Sequence, residues 1–422
     1  SGQEKSYPAI LAQQFAKVGG DSNFTQPLVS DNLGGLLVNA TKVKDKRLVL
    51  DLTDPENPSP EAIAGTPTTE AIGSGLNGSA FSNLGVPAAK AIHMGVSGYG
   101  DPAGILAGTA NPYFTRFASN PATASMIGDA IAQAPSFYVM WAGNNDVLLY
   151  ATDGGVGVDG GYAYSDITNP AVFDFAYKEL VGELKTANPA VQGVLINIPD
   201  VKTIPYFTTV PYNPVPLDQT TADTLNAAYL DYNNNVAAIL ATNPAEVVER
   251  TISFSAGQNA VVILDEDLTD LTGYSPALTN MRQATADDLL VLTASTVIPL
   301  GGGTATPLGD EYVLMPSEIA AIDAARAAFN ATIKNVADND PNLILVDSAA
   351  ILQEISTTGI DYGTGAVNAD YATGGAFSLD GVHPTARGYA VVANRIIDAI
   401  NTGFNASIPA VNPGDYTTIY IK

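Results

Sequence analysis

Asp380 and His383 stand three residues apart in Phe377-Ser378-Leu379-Asp380-Gly381-Val382-His383-Pro384-Thr385. That spacing lets one tight turn present both side chains together. The carboxylate can accept the imidazole Nδ1–H, which fixes the tautomer and leaves Nε2 to take a proton from a nucleophile. An Asp-x-x-His also occurs in turns that do no chemistry. Here the chain holds only two histidines, and a second motif, Ala142-Gly143-Asn144-Asn145-Asp146, lies upstream. The Asn145 amide can donate to an oxyanion, Gly143 lets the backbone turn tightly beneath it, and backbone N–H groups after Asn83 can add donors. Base, orienting acid and oxyanion donors are three of the four parts of an ester-cleaving site; the nucleophile is the fourth.

The elements that must position these residues follow from hydrophobic spacing. Tyr7 to Val18 carries Ile10, Leu11, Phe15 and Val18 at helical intervals, with Pro8 in the first turn and Gly19-Gly20 as the stop. Phe81 to Pro87 reads as a short strand into a turn, and Ala88 to Met94 as weakly helical. Met126–Ala134 reads as a helix and Ser136–Trp141 as a buried strand that runs straight into the Gly-Asn-Asn-Asp turn. Pro170–Thr186 is a helix, Val191–Ile198 a strand, Ser317–Asp338 a helix, Leu343–Val346 a strand and Thr385–Thr402 the last helix. Alternation of helix and apolar strand over about 80–200 and again over 317–402 predicts an α/β fold with a parallel sheet covered on both faces. Both motifs then fall beyond carboxyl ends of strands, where such sheets place their sites. Residues 24–80 read as a surface excursion with a strand pair formed by Leu36–Val38 and Arg47–Leu52. Residues 200–316 read as a long insertion containing a helix over Thr221–Thr242.

Composition narrows the classes of function. With 18 Lys plus Arg against 43 Asp plus Glu, the net charge is −25, which repels nucleic acid and anionic membrane. The absence of cysteine excludes disulfides, thiolate metal sites and cysteine nucleophiles within these 422 residues. No apolar run approaches the roughly 18 residues needed to span a bilayer. Abundant Gly, Pro and Tyr with few charges suit an extracytoplasmic protein.

At this point the residues resemble a known family. Asn83-Leu84-Gly85-Val86-Pro87, Gly143-Asn144-Asn145-Asp146 and Asp380-Gly381-Val382-His383-Pro384 look like blocks II, III and V of the SGNH, or GDSL, hydrolases. The resemblance is in particular to the large GDSL-like lipase/acylhydrolase lipoproteins of Bacteroidetes, and it covers essentially the whole chain. It also takes in Ser6-Tyr7-Pro8, Gln26-Pro27-Leu28, Asp31-Asn32-Leu33-Gly34-Gly35 and Gly374-Gly375-Ala376-Phe377-Ser378. It implies one three-layer flavodoxin-like hydrolase domain over 1–422, with His383 and Asp380 catalytic and Asn145 in the oxyanion hole. The block II glycine of the family falls at Ala88, whose N–H would still serve as a donor.

The nucleophile does not fall into place. Gly20-Asp21-Ser22 spells the first block of the family, yet it follows a helix where a nucleophile turn should follow a buried strand. The helix over 7–18 instead matches the one that comes after that block. The expectation is therefore a first strand and nucleophile turn upstream of Ser1, with Ser22 as the fallback.

Other candidates are weaker. His93 has no acid or second histidine at ligand spacing and reads as structural. The stretch Asp153-Gly-Gly-Val-Gly-Val-Asp159 invites a calcium ion but lacks the EF-hand pattern and reads as a solvated loop. Gly301-Gly302-Gly303 lacks P-loop context. Tyr206, Phe207 and Tyr212 either line an acyl pocket or pack the insertion. The resulting expectation is an esterase acting on an acyl lipid, acetylated glycan or small aryl ester, with no cofactor or metal. It would be secreted or held at the outer membrane or cell surface by a lipid anchor upstream. The rival expectation is a catalytically silent accessory subunit of an outer-membrane transporter.

Overall fold

Three parallel strands form the central sheet: β1 (Phe137–Met140), β2 (Gln192–Ile196) and β3 (Leu343–Val346). The computed structural model describes residues 2–54 and 58–422, so three residues of the 24–80 excursion lie outside it. The strand order is β3-β2-β1, and Val194 of β2 lies between Val139 and Ile344. Four of the five β2 residues are buried, as expected of the middle strand. The outer edge of β1 pairs with no strand among the described residues.

The chain divides into two compact units, one of residues 1–147, 168–204 and 325–422, the other of 148–167 and 205–324. In the first unit, helices pack against the sheet. Helix α1 (Tyr7–Lys17) packs along the last helix, α6 (Ala386–Gly403). Phe137 points toward them, 5.4 Å from the Phe15 ring and 6.2 Å from Phe404. Tyr138 points the other way, as the two-residue period requires, and Gly193 leaves room for its ring. Between these helices in sequence lie α2 (Asn145–Thr152), α3 (Pro170–Ala187), α4 (Pro316–Asp338) and α5 (Ser348–Thr357). Asn169 caps α3 on the N–H groups of Ala171 and Val172, and Phe173, Tyr177, Leu180, Val181 and Leu184 form its buried stripe. Thr385 caps α6 through the Gly388 N–H at 3.0 Å.

Several expectations are corrected here. No strand forms over 81–87, and the helical reading of 88–94 reduces to one 3-10 turn, Ala91–His93. Leu36–Val38 pairs with Thr41–Lys44, and Leu48–Asp51 with Ser59–Ala62, so the two expected strands do not pair with each other. Helix α5 was not foreseen at all.

The second unit takes in most of the expected insertion and has cores of its own. Helix Gln219–Ile239 lays Tyr229, Tyr232 and Val236 against Ile252, Phe254, Leu271 and Met281. A second cluster gathers Val261, Ile263, Leu290, Leu308 and Val313, with Tyr212 packed on it. Tyr206 donates its hydroxyl to the Thr152 carbonyl and sets its ring against Phe207, so these aromatics pack the unit. The buried Arg282 is held by Asp265 and by both oxygens of Asp288 at 2.7 Å. Among the described residues no helix is long and apolar enough to cross a membrane.

Candidate active site

The Asp380–His383 turn is closed by its own backbone. Phe377 bridges to Pro384, the Ser378 N–H donates to the His383 carbonyl at 2.8 Å, and the Gly381 N–H donates to Ser378 at 2.9 Å. Gly381 lies in the left-handed region at φ 73°, where glycine carries no steric penalty. Inside the turn Asp380 is fully engaged. Its Oδ1 accepts from the N–H groups of Val382 and His383, each at 2.9 Å, and from the Ser378 hydroxyl at 2.8 Å. Its Oδ2 faces His383 Nδ1 at 2.8 Å.

Burial alone would raise the Asp380 carboxyl. The hydrogen bond and charge of His383 and the two backbone N–H groups outweigh it and hold the carboxyl at about 2. The bond to Asp380 likewise raises His383 above its ordinary value near 6.5, against the opposing effect of the protein atoms crowded around the ring. With Nδ1 engaged, a neutral imidazole presents Nε2 as a bare acceptor, and no partner for Nε2 is found among the described residues. The His383 side chain is 66% exposed, so this nitrogen is accessible to an incoming group.

The second motif is assembled around a buried carboxylate. Strand β1 ends at Met140, the chain turns through Gly143 at φ 111°, and α2 starts at Asn145. Asn145 Nδ2 donates to the Ala89 carbonyl at 2.9 Å. A primary amide has two N–H bonds, so one remains to meet an oxyanion. Asp146 is completely buried, and its Oδ2 accepts the Ala91 N–H at 2.8 Å. Burial pushes this carboxyl up to about 6, with the Ala91 N–H acting against that shift. Asn145 and Asp146 therefore clamp residues 89–91 to the head of α2. The sequence reading quoted Asp146 in the motif without a role; its place directly after Asn145 was the available signal.

Ala88 sits at φ 62°. An L-residue with a Cβ pays for this region, on the order of 1 kcal/mol, and a glycine does not. Ala88→Gly is expected to stabilise the protein by up to about 1 kcal/mol, read as a higher denaturation midpoint at unchanged slope.

Tyr7 connects the two motifs. Its ring lies 5.6 Å from Trp141, just past the end of β1, and 6.2 Å from Tyr389 in the second turn of the helix after His383. At the other end of α1, Phe15 packs on Phe137, the first residue of β1. Helix α1 thus runs antiparallel to β1. Ser22 comes two residues after Gly20, whose N–H bonds the Phe15 carbonyl, and lines a groove with Ala9, Ala12, Gln13 and Ala16. That places it by the amino end of β1, while His383 and Asn145 belong to the carboxyl end. His93 stacks on Tyr99 at 4.6 Å, and its Nδ1 meets the Tyr99 hydroxyl at 3.0 Å and the Lys90 N–H at 3.2 Å. Burial, aided by Lys90, lowers it to about 4, as befits a neutral packing residue. No family model matches the chain, and no curated protein or solved structure matches it.

Proposed function

We propose that the protein is a serine-type carboxylic ester hydrolase of the SGNH kind, its sheet the core of a flavodoxin-like sandwich. The observation that carries this reading is the Asp380–His383 pair, with Nδ1 engaged at 2.8 Å and Nε2 accessible. In the reaction His383 takes the proton of a serine hydroxyl as that oxygen attacks the acyl carbon. It then returns the proton to the leaving alkoxide, and repeats the cycle with water to release the acid. Asp380 orients the ring and stabilises the imidazolium; Asn145 Nδ2 and the Ala88 and Gly143 N–H groups receive the oxyanion. The serine in this reading stands at the carboxyl end of a strand added to the open edge of β1. Acyl lipids, acylated glycans and aryl esters all fit this chemistry. The reading places the protein outside the cytoplasm, lipid-anchored or secreted.

Fluorophosphonate labelling of the full-length chain, followed by peptide mapping, tests it. Label on a serine outside the described residues supports the proposal, and label on Ser22 moves the nucleophile but keeps the hydrolase. Failure of well-folded protein to label overturns it. A second reading, an accessory subunit of an outer-membrane transporter, draws on the lack of a hydroxyl partner for Nε2 among the described residues. It is favoured by that last outcome.

The pH profile provides a further check. Only neutral His383 accepts a proton, and Asp380 raises its pKa above about 6.5, so kcat/KM should rise with pH through a midpoint above that value. Asp380→Asn removes the cause of the raised pKa. The acid limb should then move to lower pH while the plateau rate falls; an unmoved limb would assign the titration to another group.

A further inference from the structure

In the unit formed by 148–167 and 205–324, three carboxylates converge from separate segments: Glu266 in a loop, Asp310 in the 3-10 turn Asp310–Tyr312, and Glu318 in the first turn of α4. One oxygen of each lies within 4.8 Å of the other two. Glu318 is only 4% exposed. Its Oε2 accepts the Met315 N–H at 2.7 Å, while its Oε1 is buried with no hydrogen-bond partner. Asp310 Oδ1 is buried and unpartnered as well. Arg250 and Arg282 are the only basic residues within 148–167 and 205–324, and both are committed elsewhere, to Glu246 and to Asp265 with Asp288.

An isolated buried carboxylate is costly, and several facing one another cost more unless something positive joins them. Burial, reinforced by the neighbouring acids, pushes Glu318 up to about 8 and Asp310 up to about 6. The backbone opposite is cut away to fit. Gly154 and Gly155 have φ of 70° and 83°, and a Cβ on Gly155 would fall 1.7 Å from Glu318 Oε1.

We propose that Glu266, Asp310 and Glu318 bind a calcium ion. Calcium takes six to eight oxygens at about 2.3–2.6 Å, so two oxygens on one ion can be at most about 5 Å apart, which the carboxylate spacing satisfies. The donors are all oxygen, which disfavours zinc and copper. Magnesium usually keeps several waters and uses one or two carboxylates, whereas three carboxylates from separate segments suit the more flexible calcium shell. Glu266 is exposed and leaves that side open for water to complete the shell. The sequence reading assigned no metal and took the Asp153–Asp159 loop as solvated; two glycines of that loop instead border the site.

The test is thermal unfolding and calorimetric titration of the chelator-dialysed full-length chain with calcium chloride. The expected result is saturable one-site binding and a midpoint higher by on the order of 5 °C at about 1 mM calcium. Glu318→Gln should abolish the binding heat and the rise. In chelator this variant should melt no lower than the parent, because the amide oxygen can still accept the Met315 N–H and burial already disfavours the charged carboxylate, and this shows that it folds. Absence of heat and shift in the parent at several millimolar calcium would overturn the site. So would a rise retained in Glu318→Gln, and an equal response to magnesium would overturn the calcium assignment.

Discussion

His383→Ala in the full-length chain is expected to lower kcat/KM on an aryl ester by about 10³- to 10⁴-fold, with the melting midpoint almost unchanged. The size of the loss follows from the position of the imidazole in the turn. A serine hydroxyl is a poor nucleophile until its proton has somewhere to go, and in the proposed reaction Nε2 is the acceptor, on a ring held by the Asp380 bond. On that proposal its removal raises the barrier by about 4–5.5 kcal/mol, with residual catalysis left to the proposed oxyanion donors. Stability should change little because the side chain is 66% exposed, and Asp380 keeps both backbone N–H donors and the Ser378 hydroxyl. Asp380→Asn should give a smaller loss, since the ring remains but loses its orienting charge. Turnover unchanged in His383→Ala would remove the hydrolase proposal.

How much of this was legible depended on the range of the interaction. Asp380 and His383 meet across three residues, so spacing alone placed them, and the three strands of the sheet were marked by short apolar runs between helices. Asn145 was legible in the turn that follows a buried strand, but not as the start of a helix. Its bond to the Ala89 carbonyl joins stretches far apart in sequence, and no local pattern carries it. Residues 81–87 looked like a strand because their composition is apolar, but no neighbour supplies a ladder and the side chains serve a cluster around Phe81, Phe114 and Phe117 instead. The pairing error near residue 38 has a local cause. Asn39 and Ala40 both take positive φ, 50° and 62°, the requirement of a tight hairpin turn, and alanine gives no warning of it. No sequence pattern links Glu266, Asp310 and Glu318; only the fold brings them together.

Gly143→Ala should cost about 2–6 kcal/mol of folding stability, combining backbone strain with overpacking. At φ 111° the backbone is in a region an L-residue enters only under strain. The added Cβ would also stand 2.8 Å from Ile198 Cδ1 and 3.0 Å from the Phe173 ring. Neither neighbour can retreat: both are fully buried, and Phe173 is stacked 4.1 Å from Phe329 and 5.5 Å from Tyr177. Relief must come from the turn itself, which carries Asn145 and, through it, the Ala89 carbonyl. A population that still folds should therefore lose kcat on an ester while binding a substrate analogue nearly as before. Gly182→Ala serves as the control, because that exposed glycine in α3 has nothing within 4 Å of an added Cβ. There alanine should be neutral or stabilising by about 0.5–1 kcal/mol. Denaturation midpoints measured side by side decide the matter: if the two variants shift alike, the turn beneath Asn145 is not held by the contacts that surround Gly143.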